Sequence, residues 1–321
     1  MKPSRRLVLA TALAVPGLAS PRHAGAQAAW PTRPVRVINP YSPGGTTDVV
    51  MRLMGERLER AFGQPFVVEA RPGAGGSVGT AQALQSTDGH ILLITNTGPL
   101  AVAPTLLPNI AYRPDSFAYV TMFGGAPIIC AVRNGAPYAT MRDYAAAARA
   151  RPEAISFGNS GVGSMGHLAA LLFEQAVGVK LLHVPFRGAP EAQAATLSGD
   201  ITSKWDTIGA HAGAVRQGGL RALAFTSAER IAIFPDVPSM PEAGYPGVVC
   251  SNWFLLAAPP SLPPAVGARI NEVCQAAMAE PVVRERMDAL GLVPLGNMSP
   301  ERMRALVAEE LARWAPIARA A

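Results

Sequence analysis

Cysteine is scarce in this 321-residue chain, limited to Cys130, Cys250 and Cys274. None stands in a C-x-x-C pair, and no His or Asp is spaced around them as zinc ligands are. Neither a disulfide framework nor a cysteine-based metal site is therefore encoded. Histidine is thin too: five residues and no H-E-x-x-H leave no metal-hydrolase signature. Aromatics make up 6% of the chain and charged residues 16%. There is no Lys/Arg stripe with interleaved aromatics, which argues against a nucleic-acid partner. No apolar run reaches the roughly 20 residues that a bilayer span requires.

What is present is a core-forming composition, 49% hydrophobic, punctuated by 31 Gly and 30 Pro. That rules out bulk disorder and suggests many short loops. At the start, Lys2, Arg5 and Arg6 precede an apolar run from Leu7 to Ala19 and the small-residue stretch Ala24-Gly25-Ala26-Gln27-Ala28. This is the three-part layout of a secretory signal. It predicts a signal peptide over residues 1–28, cleaved near Gln27 or Ala29, by either the general or the twin-arginine route. No Cys follows the apolar run, so a lipid anchor is not expected. With Lys2, Arg5, Arg6 and Arg22 removed, 28 − 4 = 24 basic residues face 22 acidic ones. About 290 residues remain, enough for one large or two modest domains.

Periodicity then alternates between short strands and helices. Val35-Arg36-Val37-Ile38 reads as a strand, and Thr46 to Phe62 as a helix with Val49, Val50, Leu53, Met54, Leu58 and Phe62 on one face. Phe66-Val67-Val68 and Ile91-Leu92-Leu93-Ile94 are further strands, the latter an all-apolar run of the doubly buried kind. The pattern resumes with helix 144–150, strand 154–157, helix 165–177, strand 181–185, helix 190–198 and strands 201–206 and 222–225. It ends in helices 265–279, 281–290 and 300–317. The fold class is α/β, and two helix–sheet halves fit two lobes better than one enlarged sheet. Segments near 128–132 and 248–256 are the natural crossings. Cys130 and Cys250 fall there and are expected to lie near each other, with pairing left open.

Three glycine-rich loops stand between a strand and a helix. Pro40-Tyr41-Ser42-Pro43-Gly44-Gly45-Thr46-Thr47-Asp48 suits either a tight βα turn or the approach of an anion to free N–H groups at a helix start. Asp48, in the first turn, is placed to brace the loop. Arg71-Pro72-Gly73-Ala74-Gly75-Gly76-Ser77-Val78-Gly79 nearly mimics a dinucleotide fingerprint, but Val78 occupies the last glycine position and no acidic residue follows suitably. No cofactor is therefore assigned. Gly158-Asn159-Ser160-Gly161-Val162-Gly163-Ser164 leads to His167, and neither serine has the G-x-S-x-G context of a nucleophile. From its own context His167 reads as a structural helix residue. No catalytic set emerges.

Trp30-Pro31-Thr32-Arg33-Pro34, Pro43-Gly44-Gly45-Thr46-Thr47-Asp48 and Arg71-Pro72-Gly73-Ala74-Gly75-Gly76 carry a family resemblance. His183-Val184-Pro185-Phe186-Arg187-Gly188 and Pro235-Asp236-Val237-Pro238-Ser239-Met240-Pro241-Glu242-Ala243-Gly244 continue it. In order and spacing the chain resembles the Bug family of tripartite tricarboxylate transporter substrate-binding proteins. The resemblance implies a non-enzymatic periplasmic receptor with a two-lobed type II (Venus flytrap) fold. Lobe 1 is expected over 29–131 and 252–321, and lobe 2 over 132–251. It implies a small carboxylate (an organic acid, amino acid or related compound) as ligand, inner-membrane transporter subunits as partners, and a monomer. The implied ligand-binding residues are Tyr41, Ser42, Gly44, Gly45, Thr46 and Asp48 on the first loop. Gly76, Ser77, Asn96 and Thr97 should line the same cleft, faced by Ser160, Gly163, Ser164, His167 and Asp206 from the second lobe. A sensory subunit for a membrane signalling protein would share this fold, and an enzyme is the remote alternative.

The sequence departs from the family pattern at Tyr41, where Phe is usual, and at Ala70, where Asn is common. Ser203-Lys204-Trp205 stands where an apolar run is usual. Strand alternation puts Lys204 and Asp206 on one face, so the expected role of Lys204 is an exposed edge residue or a partner for Asp206. A second positive group for a dicarboxylate is the functional alternative.

Overall fold

Short apolar strands that alternate with amphipathic helices can bury both faces only as a sheet covered on two sides. A computed structural model describes residues 30–107 and 109–320, and the signal-like segment 1–28 lies outside them. From Pro31 onward the chain forms one unit. In chain order it runs β1 (Val35–Asn39), α1 (Thr46–Phe62), β2 (Phe66–Ala70), α2 (Ser77–Ala83), β3 (Ile91–Asn96), α3 (Ala103–Leu106) and β4 (Ala118–Arg133). There follow α4 (Met141–Ala150), β5 (Ser156–Asn159), α5 (Met165–Val177), β6 (Leu182–Pro185), α6 (Ala189–Ser198), β7 (Ser203–Thr207), α7 (Ala212–Arg216) and β8 (Leu220–Phe225). Strand β9 (Ser251–Ala258) and helices α8 (Pro264–Ala279), α9 (Pro281–Ala289) and α10 (Pro300–Arg319) complete the described chain.

The strand order is β2-β1-β3-β9-β4-β7-β5-β6, with β8 also on β4. Strands β1, β2 and β3 are parallel, as are β7, β5 and β6, while β9 and β4 run against their neighbours. Strand β4 joins the two halves. Its first part pairs with β9 as far as Pro127↔Ser251. From Ile128 its partners are β7 and β8. The molecule is thus a two-lobed α/β fold strung on one long strand. Sequence periodicity recognised only the 128–132 part of β4, because Gly124, Gly125 and Pro127 interrupt the pattern. Proline removes a ladder donor. Pro127 is tolerated because it sits at the handover, where one set of partners ends and the next begins.

Behind β7 the second lobe is held by an aromatic stack. Tyr144 lies 5.7 Å from Phe173, and Phe173 lies 5.3 Å from Trp205, ring centre to ring centre. All three are buried, and the Tyr144 hydroxyl is satisfied by Ser203 Oγ at 2.8 Å. Cys130, Cys250 and Cys274 are free thiols, each buried. No helix among the described residues is long and apolar enough to cross a membrane.

Candidate functional site

Strands β1, β3 and β5 each end in a buried asparagine whose side chain turns the following backbone, as Asx turns do. Asn39 Oδ1 accepts the Tyr41 N–H at 3.2 Å and the Thr47 hydroxyl at 2.8 Å. Asn96 Oδ1 accepts the Gly98 N–H and the Tyr41 hydroxyl, both at 3.1 Å. Asn159 Oδ1 accepts the Gly161 N–H at 2.9 Å, the Ser164 hydroxyl at 3.4 Å and His183 Nε2 at 3.1 Å. These turns deliver the chain to the starts of α1 and α5. Gly45 caps α1 without a side-chain bond. Ser164 caps α5 by accepting the His167 N–H at 3.3 Å. A helix start leaves N–H donors with no intrahelical acceptor and carries the positive end of the dipole.

The two starts open on one cavity of about 20 Å³, lined by Tyr41, Gly45, Thr46, Thr47, Asn96, Ser160 and Ser164, with Met165, Ala189, Asp206, Thr207, Asn252 and Phe254. That is room for about one water molecule. Asp206 is its carboxylate, accepting the Ser160 hydroxyl at 2.6 Å and the Thr207 N–H at 2.8 Å. The lining carries no Lys or Arg. Thr46 Oγ1 and Asn252 Oδ1 are buried without a hydrogen-bond partner among the described residues. Around the cavity the two lobes touch directly. Ser42 Oγ donates to Glu191 at 2.5 Å. Gly75 packs so closely on the second loop that a Cβ there would stand 2.1 Å from the Val162 carbonyl oxygen.

Seven residues expected from the sequence therefore line one space: Tyr41, Gly45, Thr46, Asn96, Ser160, Ser164 and Asp206. The others do not line it. Asp48 accepts the Gly44 N–H at 3.0 Å and pairs with Arg52, which braces the first loop. Gly76 packs under the Tyr41 ring, and Ser77 Oγ meets the Tyr112 hydroxyl at 3.3 Å. Thr97 Oγ1 accepts the Trp253 N–H at 3.0 Å. Gly163, at φ +84°, leads into Ser164. His167 stacks on His183 at 4.3 Å, and His183 stacks in turn on Phe157 at 4.8 Å. Burial pushes His167 down to about 3 and His183 to about 4, so both are neutral near pH 7.

Lys204 differs from expectation. It shares a face of β7 with Asp206, but it is wholly buried and its amine meets the ring of His211, at 2.8 Å from Nδ1. The chain doubles back after β7, and this carries His211, at the start of α7, over the amine. Sequence reasoning also missed Thr47, Met165, Ala189, Thr207, Asn252 and Phe254, and the organising Asn39 and Asn159. The last two had a readable signal, since each is the final strand residue before a Gly/Ser loop. Asn252 and Phe254 lie on β9, far along the chain, where no local pattern announces them.

Known proteins share this architecture. Residues 50–321 match the family described as tripartite tricarboxylate transporter family receptor. The chain is 34% identical over 315 residues to Protein BugT of Bordetella pertussis, covering 97% of this chain and 95% of that one. The structure of MatC from Rhodopseudomonas palustris with bound malate is 31% identical, covers 90% of this chain and 100% of that one, and superposes with a TM-score of 0.86. A second R. palustris protein, solved with adipate, is 30% identical, covers 90% of this chain and 97% of that one, and also gives 0.86. With its paired loops, its shared long strand and a match over most of its length, the chain belongs to the tripartite tricarboxylate transporter receptor family.

Proposed function

We propose that this protein is exported to the periplasm, captures a small carboxylate between its lobes and presents it to the membrane subunits of a tripartite tricarboxylate-type transporter. The observation that carries this reading is the pair of helix starts, α1 after the 41–45 loop and α5 after the 160–164 loop, converging on one cavity without a cation. Several neutral donors share the charge of a carboxylate there, which is how helix N-termini hold anions. The ligands solved with MatC and with the second R. palustris protein, malate and adipate, support the same class. Tyr41, Thr46, Ser160 and Ser164 are proposed to contact the ligand, with Asp206 facing its far end. The lobes are proposed as 29–131 plus 252–321 and 132–251, with the change of partners along β4 at 127–128 falling four residues before that boundary. The protein acts as a monomer in this scheme.

A thermal-shift panel of carboxylates, amides and aromatic acids tests the ligand class. A ligand at 100 times its dissociation constant adds about 2.7 kcal/mol of stability. A panel in which amides or uncharged compounds stabilise and no carboxylate does would overturn the reading. Mass spectrometry of the periplasmic fraction should find an N-terminus near Gln27 or Ala29.

A further inference from the structure

Lys204 is a lysine with no exposure and, among the described residues, no acidic side chain against its amine. The space for it is made by what is missing around it. Its lateral neighbours on the sheet are Gly158 of β5 and Ala131 of β4, the two smallest choices. The amine meets His211 at both ring nitrogens, Nδ1 at 2.8 Å and Nε2 closer still. His211 Nδ1 also meets Gln193 Oε1 of α6 at 2.8 Å. One assignment satisfies all three groups: Nδ1–H donates to the Gln193 carbonyl, and Nε2 accepts from the lysine. The groups facing the pair can be named element by element. Strand β7 brings Asp206, and α6 brings Gln193 while its Glu191 turns to Ser42. Strands β4 and β5 bring Ile129, Ala131 and Gly158, none ionisable, and Arg133, two residues beyond Ala131, lies against Gly199 at the end of α6. Among the described residues, Asp206, which lines the cavity, is thus the one acidic group on this face, one strand repeat from Lys204.

We propose that Lys204 is a specificity-determining residue of the cleft, which acts through Asp206: its charge decides whether a ligand's far end meets a compensated carboxylate or a bare one. This rests on the carboxylate reading above. Lys204 touches no cavity atom, so its effect is one of field. Side chains two residues apart on a strand face are about 7 Å apart. At that range a unit charge in an effective dielectric of about 20 acts on Asp206 by a few tens of fold, and a ligand group beyond Asp206, further off, feels on the order of ten-fold. Burial also pulls the Lys204 ammonium down to about 7, opposed by the Asp206 charge, which places the change of state near neutrality. His211 is pushed far below its usual range by burial and by Lys204, so the proton resides on the lysine.

The probes are malate and aspartate, which share a four-carbon dicarboxylate frame and differ in a hydroxyl against an ammonium. Calorimetry is run at about pH 6 and about pH 8.5, on either side of the Lys204 transition, where the amine of free aspartate is held charged by its own two carboxylates. In the wild-type protein the malate-to-aspartate affinity ratio should fall by about ten-fold from the lower to the higher pH. In Lys204→Met, and in Lys204→Gln, which keeps a group able to bond His211, the ratio should be low and flat with pH. The Lys204 ¹³Cε resonance, identified by its loss in either variant, should titrate near neutrality. A ratio that is the same in wild type and both variants at each pH overturns the proposal while leaving the carboxylate reading intact. So does a Lys204 that stays charged beyond about pH 10, near the ordinary lysine value. If neither probe binds any of the three proteins, the cleft does not take a four-carbon dicarboxylate and the Lys204 proposal falls, while the carboxylate class itself stands or falls by the thermal-shift panel.

Discussion

His167 and His183 are bases that folding keeps from taking a proton. Burial holds them at about 3 and about 4, against an ordinary 6.5. Between those limits the unfolded chain binds protons that the folded chain refuses, so stability falls as pH drops through 6.5 toward 4. Each such group contributes a slope of about 1.4 kcal/mol per pH unit. Melting temperatures recorded from neutral to mildly acid pH should decline, and His167→Leu should make the decline shallower by one proton's worth. Lys204 acts in the other window. Its folded value near 7 lies below an ordinary 10.5. The unfolded chain therefore holds the extra proton between those values, and stability rises with pH across that interval until Lys204→Met removes the slope. Ser164 illustrates a hydroxyl with two uses. It lines the cavity, and it caps α5. Ser164→Ala should lose about 1 kcal/mol of stability as well as affinity, whereas Ser164→Gly loses only a few tenths through the cap. Comparing the two by denaturant melts and calorimetry separates the ligand contact from the cap.

At the scale of elements, the site is two strand–loop–helix units facing each other. Gly45 sits in extended backbone with its nearest foreign atom, the Ser42 carbonyl oxygen, 3.6 Å from a would-be Cβ. Gly45→Val should therefore leave the melt nearly unchanged while filling the cavity, and calorimetry should find binding lost. Asn159→Ala should behave differently. It strips the acceptor shared by the Gly161 N–H, the Ser164 hydroxyl and His183, and leaving such buried groups unpaired costs about 1–3 kcal/mol. The helices and the loops before them were legible because glycine, proline and apolar spacing are local signals. Strand β9 contributes Asn252 and Phe254 to a site whose other members come from the first two-thirds of the chain, and a pairing over that distance leaves no mark in a short window. Of the two roles expected for Lys204, exposed edge residue or partner for Asp206, the first fails for the same reason: its neighbours Gly158, Ala131 and His211 are set by tertiary pairing, not by its own segment.

At the scale of the molecule, a cavity with room for about one water molecule cannot admit a carboxylate of several atoms unless the lobes part and then close again. Closure is written in direct contacts between the lobes. The single Tyr41 hydroxyl proton is shared between the Gly75 carbonyl at 2.9 Å and Asn96 Oδ1, on Gly75's own side of the cavity, and Gly75 in turn lies against the 162–164 backbone. At φ +59°, a Cβ on Gly75 would stand 2.1 Å from Val162 O and 2.8 Å from Ser164 N. Both obstacles are backbone atoms, which have no side-chain freedom with which to yield. Gly75→Ala should therefore act as a wedge. The strain of alanine in left-handed backbone is about 1–2 kcal/mol, a loss the folded state should survive. The neighbouring Ala74 already holds φ 44° in the same turn. Affinity for the carboxylate identified in the thermal-shift panel should drop by at least about ten-fold, since every 1.4 kcal/mol of hindered closure is a factor of ten. Small-angle scattering should show wild type contracting when saturated with that carboxylate while Gly75→Ala stays extended. A Gly75→Ala protein that binds with wild-type affinity and contracts as wild type does would mean that the lobes meet elsewhere when a ligand is held, and that the Gly75 contact belongs to a different degree of closure.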